Sequence, residues 1–252
     1  MTLAGQQAPV AAWDEPEGLK PRGTVVVIPG RGEQPALYER FGRRLAADAY
    51  RVRVVTDPAA DAGLAQAQVA GFLSDPDLPA PRVLAGSDTG ALFAVILAGS
   101  GEIPPVDGLI LAGLPTADAS GPAGSWDEEL DSRTACPTHR GRLATPDLRR
   151  GALYEPYPDG WLERADLTGV QAPILGLHGA DDPISPLAQA RARYGTAVTA
   201  ELVSIAGGRH DALNDQTHRT AAATVVLFLE RLRQEGGPDP IAVREQLAAG
   251  QP

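Results

Sequence analysis

Residues 82–98 read RVLAGSDTGALFAVILA, and the prediction of the fold starts from this segment. An apolar strand from Arg82 to Ala85 runs into Gly-Ser-Asp-Thr-Gly and then directly into an apolar helix. A strand, a tight turn and a helix form the setting in which a small-x-nucleophile-x-small motif holds a reactive side chain above a sheet. Small residues are needed on both sides of the nucleophile, because the strand and the helix approach each other closely there.

Two registers of this motif are open. Centring it on Asp88 places Gly86 and Gly90 at the two small positions, whereas centring it on Ser87 requires the β-branched Thr89 at one of them. We therefore favour Asp88 as the nucleophile. The alternative is a glycine-rich turn in which Asp88 only caps the following helix.

The rest of the chain alternates between strand and helix patterns. Apolar, β-branched runs predict further strands at 24–28, 51–55, 108–112, 173–177 and 200–205. Helical patterns lie at 36–49, 61–73, 91–100, 186–194 and 216–234. This alternation indicates an α/β fold with a mostly parallel central sheet and helices on both faces, which binds its ligand at the carboxyl ends of the strands.

One interval, residues 114–170, breaks this alternation and is too long for an ordinary loop. We predict that it is an inserted lid and that residues 1–113 and 171–252 form the core. The alternative is a surface insertion without a substrate role, whose aromatic residues only pack. Its candidate substrate contacts are Trp126, Tyr154, Tyr157 and Trp161.

Two later turns supply possible partners for Asp88. Asp182 follows the predicted strand at 173–177, and His210 lies between the last strand and the last helix. The chain order is thus nucleophile, acid and histidine, each beyond the carboxyl end of a strand.

With these motifs, residues 20–234 resemble the α/β-hydrolase superfamily. The segment from Pro29 to Leu45 is similar to that of monoacylglycerol-lipase and lysophospholipase-like members, although Gln34 replaces the usual histidine of the turn. An aspartate at the nucleophile turn resembles instead the epoxide hydrolases and the haloalkane and fluoroacetate dehalogenases. Those enzymes have Trp or Arg directly after the aspartate, where this chain has Thr89.

The resemblance implies a lid between the sixth and seventh core strands and an oxyanion hole built from the backbone amides of Arg31 and Thr89. For the side chain of Arg31 we consider two possibilities, binding of a substrate carboxylate and exposure to solvent. An aspartate nucleophile needs no base, because its carboxylate is already ionised at neutral pH. It would attack a carbon that bears a halogen or belongs to an epoxide, and the resulting ester would be hydrolysed by water that His210 activates and Asp182 orients.

Composition excludes several classes of function. The formal net charge of −10, from 22 Lys and Arg against 32 Asp and Glu, argues against nucleic acid as a partner. The single cysteine, Cys136, rules out an internal disulfide and a cysteine-based metal site, and no other residue set has metal-ligand spacing, so we expect no metal and no cofactor. No run approaches the ~18 apolar residues of a membrane span, which predicts a cytoplasmic protein without a membrane partner. The arginine-rich, alanine-rich composition is typical of a bacterium with a GC-rich genome.

The favoured interpretation is therefore a cofactor-independent hydrolase of a small or medium organic substrate. Three alternatives remain open at this stage. The first is an esterase or lipase acting through Ser87 or Asp88, and the second is a lyase, isomerase or cyclase that uses Asp88 and His210 as acid and base. The third is an inactive ligand-binding member of the fold.

Overall fold

A computed structural model describes residues 11–117, 124–145, 148–234 and 239–243. It contains one seven-stranded sheet with the strand order β1-β3-β2-β4-β5-β6-β7. All neighbouring strands run parallel except β1, which pairs antiparallel with β3. The strands are β1 (Ala11–Trp13), β2 (Gly23–Ile28), β3 (Tyr50–Val54), β4 (Arg82–Ser87), β5 (Gly108–Ala112), β6 (Ile174–Gly179) and β7 (Ala200–Ile205). The predicted α/β architecture is confirmed, and the six predicted strands are present within about two residues of their expected ends.

Eight α-helices are described, five of them in the intervals with a predicted helical pattern and three within residues 114–170, where none was predicted. They are α1 (Glu39–Ala47), α2 (Ala62–Ser74), α3 (Thr89–Ser100), α4 (Trp126–Arg133), α5 (Pro137–Leu143), α6 (Trp161–Arg164), α7 (Leu187–Tyr194) and α8 (His218–Leu232). Short 3-10 turns cover Pro35–Tyr38, Ala152–Tyr154 and Leu167–Gly169.

Two hydrophobic cores cover the two faces of the sheet. Alternate residues of a strand point to opposite faces, so Val25 and Val27 pack in one core and Val26 and Ile28 in the other. Helices α1 and α8 close the first core, and α2, α3 and α7 close the second. Because β2 and β4 are buried on both sides, the turns at their carboxyl ends are held by a rigid sheet.

The first strand, β1, is absent from the sequence prediction. Its three residues have no alternating pattern, and the strand forms because it pairs with β3. The ring of Trp13 then packs on Gly42 of α1, where an added Cβ would lie 2.1 Å from a ring carbon. This small residue lets the tryptophan cover the edge of the first core.

The insertion leaves the sheet after β5 and returns at β6. The resemblance implied an insertion between the sixth and seventh core strands. In the described residues the insertion lies between the fifth and sixth strands, so one strand fewer precedes it. Helix α4 begins with a capping box, in which the Ser125 hydroxyl accepts from the Glu128 amide and the Glu128 carboxylate accepts from the Ser125 amide. Residues 118–123 and 146–147 of the insertion lie outside the described residues.

Candidate active site

The turn after β4 holds Asp88 in a strained backbone conformation. Its φ of 49° and ψ of −121° lie outside the regions that residues with a side chain normally adopt. The flanking glycines permit the turn, because a Cβ on Gly86 would lie 2.3 Å from the carbonyl oxygen of Gly90 and one on Gly90 would lie 2.2 Å from that of Ile28. Ser87 is the last residue of β4. The structure thus places Asp88, and not Ser87, at the tip of the turn.

His210 lies between the carboxylates of Asp182 and Asp88. Its Nδ1 is 2.8 Å from Oδ2 of Asp182, and its Nε2 is 3.3 Å from Oδ1 of Asp88. The other oxygen of Asp182 accepts hydrogen bonds from the amides of Ile184 and Ser185, which fix the carboxylate. All three members of this set are buried. The fold therefore brings together the three residues that the chain order suggested.

Arg31, in the turn after β2, binds the carboxylate of Asp88 in this set. Its Nε lies 2.7 Å from Oδ2 of Asp88 and its Nη2 lies 2.9 Å from Oδ1, so the guanidinium grips the carboxylate with two donors. Nη1 donates to the carbonyl of Glu155, and Nη2 also lies 3.3 Å from the hydroxyl of Tyr157. Only 1% of Arg31 is exposed. Of the two possibilities considered for this side chain, exposure to solvent is excluded, because the guanidinium is buried and paired with Asp88.

One of the two expected oxyanion donors contacts the carboxylate directly. The backbone amide of Arg31 donates to Oδ2 of Asp88 at 3.1 Å. Thr89 is the first residue of α3, so its amide belongs to the first turn of a helix, where intrahelical acceptors are absent. The hydroxyl of Thr89 is buried and has no hydrogen-bond partner among the described residues.

The site contains two acidic and two basic side chains, and their charges shift the pKa values of its members. Burial alone would raise the pKa of Asp88, but Arg31 and His210 together hold that pKa well below its usual range. Burial would lower the pKa of His210, but the two adjacent carboxylates raise it to about 10. The pKa of Asp182 is also lowered, because His210 outweighs the effect of burial. At neutral pH the site therefore holds two carboxylates, an imidazolium and a guanidinium.

Of the four aromatic candidates in the insertion, only Tyr157 contacts this set. Its ring lies 4.1 Å from the guanidinium carbon of Arg31, and burial together with Asp88 raises the pKa of its hydroxyl. The other three make their contacts elsewhere: Trp126 under Arg150, Tyr154 with Ser132 and Trp161 against Phe93.

Arg133, at the end of α4, was not found from the sequence. Its guanidinium is fully buried and lies 3.0 Å from Glu33, 3.2 Å from Glu129 and 3.7 Å from Asp211. It also donates to the carbonyl oxygen of Arg31 at 3.2 Å. An arginine in an irregular insertion carries no sequence signal of such a role. Its position links the insertion to the turn that supplies the Arg31 amide.

Glu33 lies in the same turn and stabilises it through hydrogen bonds and an ion pair. One of its oxygens accepts from the amide of Gly30 at 3.1 Å and from the hydroxyl of Tyr38, and the other pairs with Arg133. Burial and the nearby charge of Asp211 raise the pKa of Glu33 to about 7, although Arg133 opposes the rise. The glutamate of the Gly-Arg-Gly-Glu turn was visible in the sequence, but its buried partners were not.

Two other structural features are absent from the described residues. No group of three or more His, Cys, Asp or Glu side chains in these residues is arranged to hold a metal ion. None of the helices described is both long enough and apolar enough to cross a membrane.

Comparison with solved structures identifies the fold. The monoacylglycerol lipase of Paleococcus ferrophilus matches with a TM-score of 0.69 and 17% identity, over 88% of this chain and 98% of that chain. A soluble variant of the Saccharomyces cerevisiae monoglyceride lipase, solved with a substrate analogue, matches with a TM-score of 0.71 and 16% identity, over 89% and 91%. An esterase from a Rhodococcus species matches with a TM-score of 0.62 and 18% identity, over 83% and 91%. The chain has the α/β-hydrolase fold. No protein-family model and no curated protein matches the sequence.

In an α/β-hydrolase the sharp turn between a central strand and the next helix carries the nucleophile, and the acid and the histidine follow in that order. Here Asp88 lies in the turn after β4, and Asp182 and His210 follow it in the chain beyond β6 and β7. A carboxylate at this turn has a different chemistry from a serine hydroxyl, because it is ionised at neutral pH without a base.

Proposed function

We propose that this chain is a hydrolase that uses Asp88 as a covalent nucleophile on a small organic substrate, without a cofactor. The observation that supports this most directly is the geometry of the turn. A carboxylate occupies the strained position of the nucleophile, and Nε2 of His210 lies 3.3 Å from it, with Asp182 on the other ring nitrogen.

In the first step a carboxylate oxygen of Asp88 attacks a saturated carbon. A carbon–oxygen bond forms, and the bond to the halogen or epoxide oxygen breaks, with its electron pair going to the leaving atom. The low pKa of Asp88 keeps the carboxylate ionised without a base. Attack on an ordinary ester or amide would instead give a mixed anhydride, which lies uphill. Epoxide and carbon–halogen substrates are therefore favoured.

In the second step the enzyme ester is hydrolysed. Alkylation of Asp88 removes one of the two negative charges that raise the pKa of His210, so the imidazolium releases its proton to solvent. Neutral His210 then takes a proton from water, and the water oxygen attacks the carbonyl carbon of the ester. The bond from that carbon to the substrate oxygen breaks, His210 returns the proton to the departing oxygen, and the substrate leaves as an alcohol while Asp88 regains its carboxylate. The oxyanion that forms on Asp88 is stabilised by the amides of Arg31 and Thr89, each worth about 3 kcal/mol in comparable sites.

We propose that residues 114–170 act as the lid over this site. Glu155 and Tyr157 of this segment contact Arg31, and Arg133 of the same segment contacts the turn that carries Arg31. Tyr157 also provides a phenol beside the reacting carboxylate, and a phenol can donate a hydrogen bond to the oxygen of an opening epoxide.

The test is to trap the covalent intermediate. His210→Gln is incubated with neutral electrophiles (styrene oxide, 1-bromobutane) and with an anionic one (3-bromopropionate), and intact mass and peptide mapping follow the adduct. We expect one adduct on Asp88, because the ester forms and its hydrolysis is blocked. Asp88→Asn in the same background is the matched control and should give none. No adduct with any of these electrophiles, or turnover that persists in Asp88→Asn, would overturn the proposal.

A second candidate function is ester hydrolysis, which the similarity in fold to lipases and an esterase supports. Ser87 would then have to act in place of Asp88, although it lies one residue before the tip of the turn. Hydrolysis of 4-nitrophenyl butyrate that is lost in Ser87→Ala and retained in Asp88→Asn, together with labelling of Ser87 by a fluorophosphonate, would establish this alternative.

A further inference from the structure

The carboxylate of Asp88 has no free acceptor position in this structure. The amide and Nε of Arg31 donate to Oδ2, and Nη2 of Arg31 and Nε2 of His210 lie on Oδ1. A carboxylate offers about four lone-pair directions, so these four contacts occupy all of them. Asp88 can therefore attack a carbon only after the Arg31 side chain withdraws.

Withdrawal of Arg31 raises a problem of charge. Its remaining side-chain contacts are the carbonyl of Glu155 and the hydroxyl and ring of Tyr157, none of which carries a negative charge. The carboxylate of Glu155 pairs instead with Arg149, and both of these side chains are about half exposed. Asp88 is the one carboxylate that contacts the guanidinium among the described residues, so separating the two leaves a buried charge without a partner, which is strongly unfavourable. A neutral substrate offers nothing that compensates for this cost.

A ligand with its own carboxylate removes the problem. It replaces Asp88 on Arg31 one charge for one charge, and the planar fork of the guanidinium fits any carboxylate through the same two donors. Asp88 is then released at the moment when the ligand is bound.

We propose that the guanidinium of Arg31 is a binding site for the carboxylate of a small organic acid, and that its pairing with Asp88 is the resting form of the site. The ligand's carboxylate lies within a few bonds of the reacting carbon, because Arg31 and Asp88 are in direct contact. This extends the proposed function by naming a substrate class, but binding and covalent chemistry are measured separately.

The experiment measures binding of propionate and benzoate, and of the neutral propionamide and benzamide, to the full chain by calorimetry and by ligand-detected NMR. Wild type should bind the acids at least about tenfold more tightly than the amides, as expected for two charge-assisted hydrogen bonds. Asp88→Asn should bind the acids about tenfold more tightly again, because the internal competitor has lost its charge. If the ion pair of Arg31 and Asp88 were purely structural, removing the charge of Asp88 would not increase the affinity for acids.

Arg31→Gln/Asp88→Asn removes both charges together and so avoids a lone buried ion. It should bind acids and amides equally. Arg149→Gln is the matched control, since Arg149 is also paired with a carboxylate but points outward, and it should bind like wild type. Equal affinity of Asp88→Asn for acids and amides, or tight binding of acids to the double variant, would overturn the inference.

The outcomes also separate this inference from the proposed function. An Asp88 adduct that forms as readily with styrene oxide and 1-bromobutane as with 3-bromopropionate would refute the carboxylate site and leave the nucleophile intact. Tight binding of acids through Arg31 without any Asp88 adduct would support the carboxylate site and refute the proposed nucleophile.

Discussion

Replacing Arg133 by methionine tests how the insertion is joined to the active-site turn. Methionine keeps much of the side-chain volume and removes the charge. Three carboxylates within 3.7 Å of the guanidinium, those of Glu33, Glu129 and Asp211, lose their shared cation, and the carbonyl of Arg31 loses a donor. Removal of one partner from a buried ion pair typically costs 3–5 kcal/mol, so we expect the free energy of unfolding to fall by roughly that amount at pH 8.

The loss in the free energy of unfolding should be larger at high pH than at low pH. Glu33 already has a pKa of about 7 in the folded protein, above its ordinary value of 4.5, and without Arg133 that pKa rises further. A group with a raised folded pKa destabilises the protein as pH rises through the interval between the two values. The deficit of Arg133→Met relative to wild type should therefore be smaller at pH 5, where Glu33 holds its proton, than at pH 8.

The assay is urea unfolding followed by tryptophan fluorescence at both pH values. Arg43→Met is the matched control, because Arg43 is exposed and forms a surface pair with Glu39 at 2.8 Å, which is worth at most about 0.5 kcal/mol. A deficit below about 1 kcal/mol for Arg133→Met, one equal to that of Arg43→Met, or one that grows toward pH 5 would refute the reasoning from buried charge.

Further predictions concern the turn, the histidine and the phenol. Gly90→Ala should prevent folding or abolish soluble expression, because its Cβ would lie 2.2 Å from the carbonyl oxygen of Ile28. Gly99→Ala on the same helix is the control: its Cβ meets no atom within 4 Å, so in thermal unfolding it should be neutral or stabilising by up to about 1 kcal/mol. The free energy of unfolding should decline from pH 6.5 toward pH 10, because the pKa of His210 is raised from 6.5 to about 10 on folding, and His210→Gln should flatten that decline in urea titrations. Tyr157→Phe should slow alkylation by epoxides about 10²-fold or more and leave halide displacement nearly unchanged, since the epoxide oxygen leaves as an alkoxide that has to be protonated, whereas a halide ion leaves without a proton. Equal slowing of both reactions, measured by intact mass, would contradict an acid role for Tyr157.

Local patterns account for most of the fold that could be predicted. The strands and helices of the core follow from apolar runs and helical spacing, which depend on residues that are close in sequence. The strand β1 was missed because it depends on its partner β3 and on the packing of Trp13 against Gly42. The aromatic residues of the insertion show the same limit, since nothing in the spacing separates Tyr157, which contacts Arg31, from Trp161, which packs on Phe93.

The α/β architecture and the order of Asp88, Asp182 and His210 can be read from the sequence, because strand, turn and helix signals are local and place each residue beyond the end of a strand. The sequence also favoured Asp88 over Ser87, since only that register puts glycine at both crowded positions. Tertiary structure alone decided what surrounds the carboxylate. Arg31 lies 57 residues from Asp88 in the chain, and Arg133 lies 102 residues from Arg31. Charges so far apart in sequence meet only after the sheet and the insertion have packed, and burial then makes each of them require its partner.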